Sequence, residues 1–417
     1  MKLVGLVLAL AAFGCQEKNP NYCDDGLHLD NNCNEPIPDG GHPLCDMTHA
    51  CSGGLVCDET QGMCVQCTSE QAGACMQDTP VCGSDDSCRG CLQHDECPSD
   101  ACLSDGSCAA TDEVAYVAAT GTDGGDCSSP TAPCKTLSYA LGTSRQVIKL
   151  TGAIADSPVM IQRTVQIVAE PGAMLTETTN GPLVTVSGDV TVEIDDLELH
   201  GASGAGNAGL TLSGSGPQVK LLRVQVDNSQ GAGVVVGAGM LTMARCMVGP
   251  MNAGGIDISN ASFDIENTFV VMNNAGPAGS SGVYLNQTTG TQVLQFDTIA
   301  DNSAAGAAVS GVKCSGFSDA ASFPNNIVWD NVYGTGGAQV GGDPNCAFPY
   351  SDIGPTPPAS GWPNDISSDP SFGENYHLTV GSPAIDHAGP ATLPIDYDGQ
   401  TRPYGAGRDM GADEYMP

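Results

Sequence analysis

The residues whose types and spacing could do chemistry are mostly acids. Asp195-Asp196 is followed by Arg223, and Arg223 precedes Asp227 by four residues. Clustered carboxylates beside a guanidinium can hold a divalent cation, orient an anionic group or move a proton. Between Thr151 and Tyr350 the bases are only Arg163, Lys220, Arg223, Arg245 and Lys313. Asp195, Asp196, Arg223 and Asp227 are therefore the best candidates for catalysis, although adjacent acids at a strand end also make an ordinary solvated turn. Asp257, Asp264, Asp297 and Asp301 could supply an acid and a base for glycoside hydrolysis, but no motif surrounds them. Asp396-Tyr397-Asp398-Gly399 alternates oxygen ligands as calcium loops do, yet lacks the downstream ligands. Calcium is the metal that Asp396 and Asp398 would take; an Asp-Gly turn is the plainer reading. His200 and His387 stand isolated.

These residues sit in a repeat. An opening strand recurs as PLVTV from Pro182, GLTL from Gly209, GVVV from Gly233, GIDI from Gly255 and GVYL from Gly282. A second apolar strand follows each. The repeats close on Asn228, Asn252, Asn274 and Asn302, with a less regular turn ending at Asn331. A period of about 22–29 residues is that of a solenoid. Apolar residues alternate within segments, as in Val190-Thr-Val-Glu-Ile194, so the rungs are strands. Asn and Gly turn corners at least steric cost, and stacked amides can bond into a ladder. Asn228, Asn252, Asn274 and Asn302 are expected to form that ladder. Val184, Leu210, Val235, Ile256 and Val283 are expected to face the core. Cys246 falls inside a strand and reads as a small buried hydrophobe.

Fifteen of the twenty cysteines precede Ala109. Three quartets follow one another: Cys45-Cys51-Cys57-Cys64, Cys67-Cys75-Cys82-Cys88 and Cys91-Cys97-Cys102-Cys108. Such short modules hold too few apolar side chains for a core, so disulfides must replace burial. Each quartet allows three pairings. Cys64-x2-Cys67 with Cys88-x2-Cys91 also fits a zinc ribbon, but an exported chain meets an oxidising environment. Cys23 with Cys33 makes a further pair. Acids outnumber bases 48 to 13, giving a formal charge of −35. That field repels phosphates and excludes nucleic acid as a partner.

Several segments carry family resemblances. Lys2, the apolar run Leu3–Phe13 and Gly14-Cys15 form an export signal that resembles a bacterial lipobox, with Ala12 and Phe13 departing from the usual residues. The resemblance implies lipidation of Cys15, and Gln16 resembles the residue found in lipoproteins sent to the outer membrane. Several acyl chains on one residue anchor stably. Tyr116-Val-Ala-Ala-Thr-Gly-Thr-Asp-Gly-Gly through Cys134-Lys-Thr-Leu-Ser-Tyr-Ala-Leu141 resembles the entry to pectate-lyase-like right-handed β-helices. It implies a short helix at about Leu137–Leu141 that caps the solenoid, with Cys127 and Cys134 clipping the loop. Cys314 and Cys346 are expected to pair across a late turn. Ser382-Pro-Ala-Ile-Asp386, Ile395-Asp-Tyr-Asp-Gly-Gln400, Arg402-Pro403 and Asp409-Met-Gly-Ala-Asp-Glu-Tyr415 resemble the terminal motif of choice-of-anchor Q proteins. Met410 and Asp413 depart from it. In lyases of this fold, carboxylates hold calcium and an Arg or Lys is the base, which would cast Arg223 in that role.

The expected organisation is a signal peptide at 1–15, a flexible tether at 16–44 and cysteine-rich repeats at 45–112. A single-stranded right-handed parallel β-helix at 113–350 and a C-terminal cap at 351–417 complete it. The expected protein is a monomeric outer-membrane lipoprotein, exposed at the cell surface, whose β-helix binds a polysaccharide or a surface protein. The competing expectation is a polysaccharide lyase or glycoside hydrolase working in the groove. Eleven of the twenty aromatic residues lie after Ala320, where they pack a cap or form a sugar-stacking platform.

Overall fold

The computed structural model describes residues 45, 50–76, 78–156, 158–276, 281–303, 309–331, 338–358 and 361–417. Cys15, the signal peptide, the tether and the Cys23–Cys33 pair lie outside the described residues. The chain divides into two compact units. One takes in the described residues through Leu92 together with Asp105–Cys108, and the other Gln93–Ser104 with Ala109–Pro417.

In the first unit, Val56–Asp58 pairs antiparallel with Met63–Val65, and Val81–Cys82 with Cys88–Arg89. Cys45 is bonded to Cys57, Cys51 to Cys64, Cys67 to Cys82 and Cys75 to Cys88. Each of these two quartets thus joins first to third and second to fourth. The cysteines of the third quartet are also in disulfides. No thiol of the zinc-ribbon reading is left to ligate a metal.

The second unit is a parallel β-helix. The central coils each contribute one strand to each of three parallel sheets, of nine, eight and eight strands, and in the late coils Ala321–Ser322 pairs with Cys346–Ala347 as a separate two-stranded sheet. The opening sheet contains Val184–Ser187, Leu210–Ser213, Val234–Val236, Ile256–Ser259 and Val283–Asn286 in lateral register. The middle sheet contains Thr191–Asp195, Gln218–Leu222, Met240–Ala244 and Ser262–Glu266. The closing sheet contains Glu198–His200, Gln225–Asp227, Met247–Val248, Phe269–Val271 and Thr298–Ala300. Inward residues from all three sheets merge into one continuous apolar core. Its inward column runs Val184, Leu210, Val234, Ile256, Val283. The expectation of Val235 is therefore off by one: it pairs with Thr211 and Asp257 and is only half-buried. With a period of two, a single-residue slip exchanges core for surface.

The expected ladder holds at Asn302 and shifts by one residue in the coil before it, from Asn274 to Asn273. Asn273, Asn302 and Asn331 are buried and bond in sequence. Asn273 Nδ2 donates to Asn302 Oδ1 at 2.8 Å, and Asn302 Nδ2 to Asn331 Oδ1 at 2.7 Å. Gln339 Oε1 then accepts from Asn331 Nδ2 at 2.9 Å. Asn228, Asn252 and Asn274 are exposed instead. The two jobs given to one asparagine fall on neighbouring columns. The left-handed corner is taken by Asn228, Met272, Asp301 and Asp330, and the residue after each corner turns inward. A second corner, between the middle and closing sheets, runs Asp196, Arg223, Arg245, Asn267, Phe296 and Asn325, all at positive φ. The inward residue after it is Cys246 in one coil, a free thiol that burial pushes up to about 12.

The short helix Leu137–Leu141 is capped by Thr136, whose hydroxyl accepts from Tyr139 N. It buries Leu137 and Ala140 in the core near the first coils. Cys127 is bonded to Cys134, and Cys314 to Cys346. At the far end Phe323, Phe348 and Trp362 stack beside one another and Phe263. The C-terminal segment lies along the outer face of the closing sheet. Phe372, Tyr376 and Tyr397 cover Met247, Phe269 and Ala300, while Leu378 and Met410 cover Ile327 and Trp329.

Candidate functional site

The fold separates the four candidate residues into two groups. Asp195 ends the strand Thr191–Asp195, and Asp196 and Arg223 occupy successive left-handed corners. Asp227 ends the next closing strand, so the four-residue spacing from Arg223 spans that strand, roughly 10–13 Å of chain.

At the corner, Arg223 is clamped. Its Nε donates to Asp196 Oδ1 at 2.5 Å and its Nη2 to Oδ2 at 2.6 Å. This bidentate bond raises the guanidinium's already high pKa. An arginine acting as a base needs the opposite shift. Arg245, one coil on, donates from Nε to the Tyr397 carbonyl at 2.7 Å and so fastens the C-terminal segment. Asp195 is 3 % exposed. Burial, with Glu193 nearby, pushes its carboxyl up to about 7. That burial also keeps it from a polymeric substrate. Glu193 accepts from Lys220 Nζ at 2.5 Å, and Lys220 also donates to Ser104 at 3.0 Å.

On the closing sheet a second group forms. His200 lies laterally opposite Asp227, and Glu198 opposite Gln225. His200 Nδ1 is 2.6 Å from Asp227 Oδ1 and 3.2 Å from Glu198 Oε1. Gln225 Nε2 donates to the other Asp227 oxygen at 2.7 Å. Burial and the Asp227 charge raise the pKa of Glu198. His200 looked isolated in sequence. The missed signal was Glu198-x-His200, an i, i+2 pair on one strand face, with Asp227 one coil later.

The remaining acids do not converge. Asp257 lies on the opening sheet, and Asp264 on the middle sheet. Asp297 is wholly buried, where it accepts from Thr268 N, and burial drives its pKa far up. Asp301 accepts from the Tyr376 hydroxyl at 2.8 Å. The carboxylate of Asp396 accepts from Gln400 N at 2.7 Å and Glu414 N at 3.0 Å. Asp398 pairs with His377 Nε2 at 2.8 Å. The charged residues of the C-terminal motif form a knot of this kind throughout. Arg402, buried over the Phe296 ring, donates to the Asp409 and Gly411 carbonyls and pairs with Glu414. Asp409 accepts from Asp386 N and Tyr415 N. These carboxylates satisfy backbone N–H groups that would otherwise be buried unpaired. His387 Nδ1 contacts the Ile385 carbonyl and is exposed. In the first unit, an open cleft of about 550 Å³ lies between Leu55, Met63 and Val65 on one side and Ser84–Ser87 on the other.

A model of a family of unknown function, DUF8331, matches residues 11–114. It ends where the first β-helix strand, Val114–Ala118, begins. Among solved structures the chain is similar to one described as the crystal structure of pectate lyase Pel9A, at 14 % identity and a TM-score of 0.48. That alignment covers 73 % of this chain and 96 % of the other. No curated protein matches.

Proposed function

We propose that this protein is an exported lipoprotein, of the choice-of-anchor Q type, whose β-helix binds polysaccharide or protein at the cell surface. Cys15 is the lipidated residue, and the cysteine-rich modules lift the solenoid off the outer membrane. The observation that carries the binding reading is the Asp196–Arg223 clamp. It ties the arginine beside Asp195 and Asp196 into a bidentate pair that holds two coils together. The outer faces nearby present fixed side chains on a rigid ladder, which suits recognition with little ordering cost. Export is tested by acyl labelling: wild-type chain takes up labelled palmitate and stays with membranes, while Cys15→Ser takes up none. Binding is tested on immobilised neutral and uronic polysaccharides and on extracellular proteins. Saturable retention on one class supports this reading, and retention on none opposes it.

A further inference from the structure

We propose that Glu198, His200 and Asp227 form a binding site for one divalent transition-metal ion of the zinc class. The site lies on the part of the closing sheet not covered by the C-terminal segment. Parallel register places His200 and Asp227 side by side on adjacent coils, and Glu198 two residues before His200 on the same face. Their three donor atoms all lie within 4.8 Å of one another. A single imidazole Nδ1 faces two carboxylate oxygens, at 2.6 and 3.2 Å. A single N–H shared between two carboxylates satisfies neither fully, and a cation seated among the three atoms would neutralise both. Zinc bonds of about 2.0–2.2 Å set ligand atoms roughly 3–3.5 Å apart. The observed atoms reach that spacing by small rotations of half-exposed side chains.

The surroundings suit a metal. Gln225 holds the distal oxygen of Asp227 and fixes the orientation of this ligand. The exposed Asn228 amide, whose Nδ2 is 3.3 Å from Asp227 Oδ1 and 3.5 Å from His200 Nδ1, turns away to solvent when an ion enters. In the next coil the strand runs into Gly249, which adds no side chain beside Asp227. The side chains of His200 and Glu198 are 36 % and 24 % exposed, leaving the fourth coordination position to solvent or a ligand. An imidazole donor selects zinc, cobalt or nickel over calcium and magnesium. The net charge of −35 concentrates cations around the chain.

The inference stands apart from the lipoprotein reading, and its test uses the full-length chain. Zinc is titrated by calorimetry and cobalt by visible absorption, with folding of each variant checked by circular dichroism. The expected result is one zinc equivalent that survives excess calcium and weakens as pH falls, because protons compete with the metal for its ligands. His200→Asn and Glu198→Gln should each weaken it by more than about tenfold. His377→Asn removes the histidine of the other histidine–carboxylate cluster, His377 with Asp398 and Asp413, and should leave uptake intact; uptake lost in this variant alone overturns the proposal. No zinc uptake, or uptake unchanged in both His200→Asn and Glu198→Gln, overturns the proposal. Should His200→Asn fail to fold, Glu198→Gln decides alone.

Discussion

Asp195 and His377 show how burial and neighbours set the sign of a single group's contribution. Asp195 titrates near 7 in the fold, against 3.8 as the reference. The folded state therefore holds its proton more tightly than the unfolded chain, and stability falls as pH rises through that window, by roughly 4 kcal/mol. Asp195→Asn should raise the melting temperature at about pH 8, with the gain shrinking toward pH 4. Thermal melts across that range check it. His377 has the opposite dependence. Burial disfavours its charge, but Asp413 and Asp398 outweigh that and raise its pKa. Its contribution is complete below the reference value of 6.5 and is lost as pH rises through the folded value. The side chain is a third exposed, so the effect is about 1 kcal/mol or less. His377→Gln should lower the melting temperature more in mildly acidic than in alkaline buffer, where only the ring's packing on Phe269 is lost.

At the scale of the element, the ladders divide what one asparagine was expected to do. Asn302 donates to the Val270 carbonyl and Asn331, and accepts from both the N–H and the amide of Asn273. Asn302→Ala strands these buried groups and should cost about 2–4 kcal/mol. Asn252→Ala, at an exposed position, should stay within about 0.5 kcal/mol. Chemical denaturation of the two variants separates them. The repeat was legible in the sequence because each opening strand keeps its apolar alternation over five coils. Register was less so. In VVMNN and GVVV the chemically similar neighbours Asn273 and Asn274, or Val234 and Val235, differ only in which faces inward, and the corner decides that. The site was legible in half. Asp196 and Arg223 share a column because they are one coil apart, whereas Glu198 and His200 show only an i, i+2 spacing and meet Asp227 through lateral register. The C-terminal acids looked like ligands because nothing in a sequence shows which backbone N–H groups a carboxylate will cap.

Across the whole molecule, two ways of holding a fold together meet in one chain. The described cysteine-rich modules depend on covalent links. The β-helix has a continuous apolar core, with Cys127–Cys134 and Cys314–Cys346 bonded at its margins. A reductant should unfold residues 50–76 and 78–92 while the β signal persists, as read by hydrogen exchange of those segments beside circular dichroism. On the proposed function, Arg223 clamps two coils and the β-helix binds its polymer without cutting it. The most direct measurement incubates the full chain, with calcium supplied, on neutral and uronic polysaccharides and quantifies new reducing and unsaturated chain ends. A binding role predicts no new ends above a protein-free control, even on a polymer that retains the chain. New ends that disappear with Arg223→Gln or Asp227→Asn would contradict it.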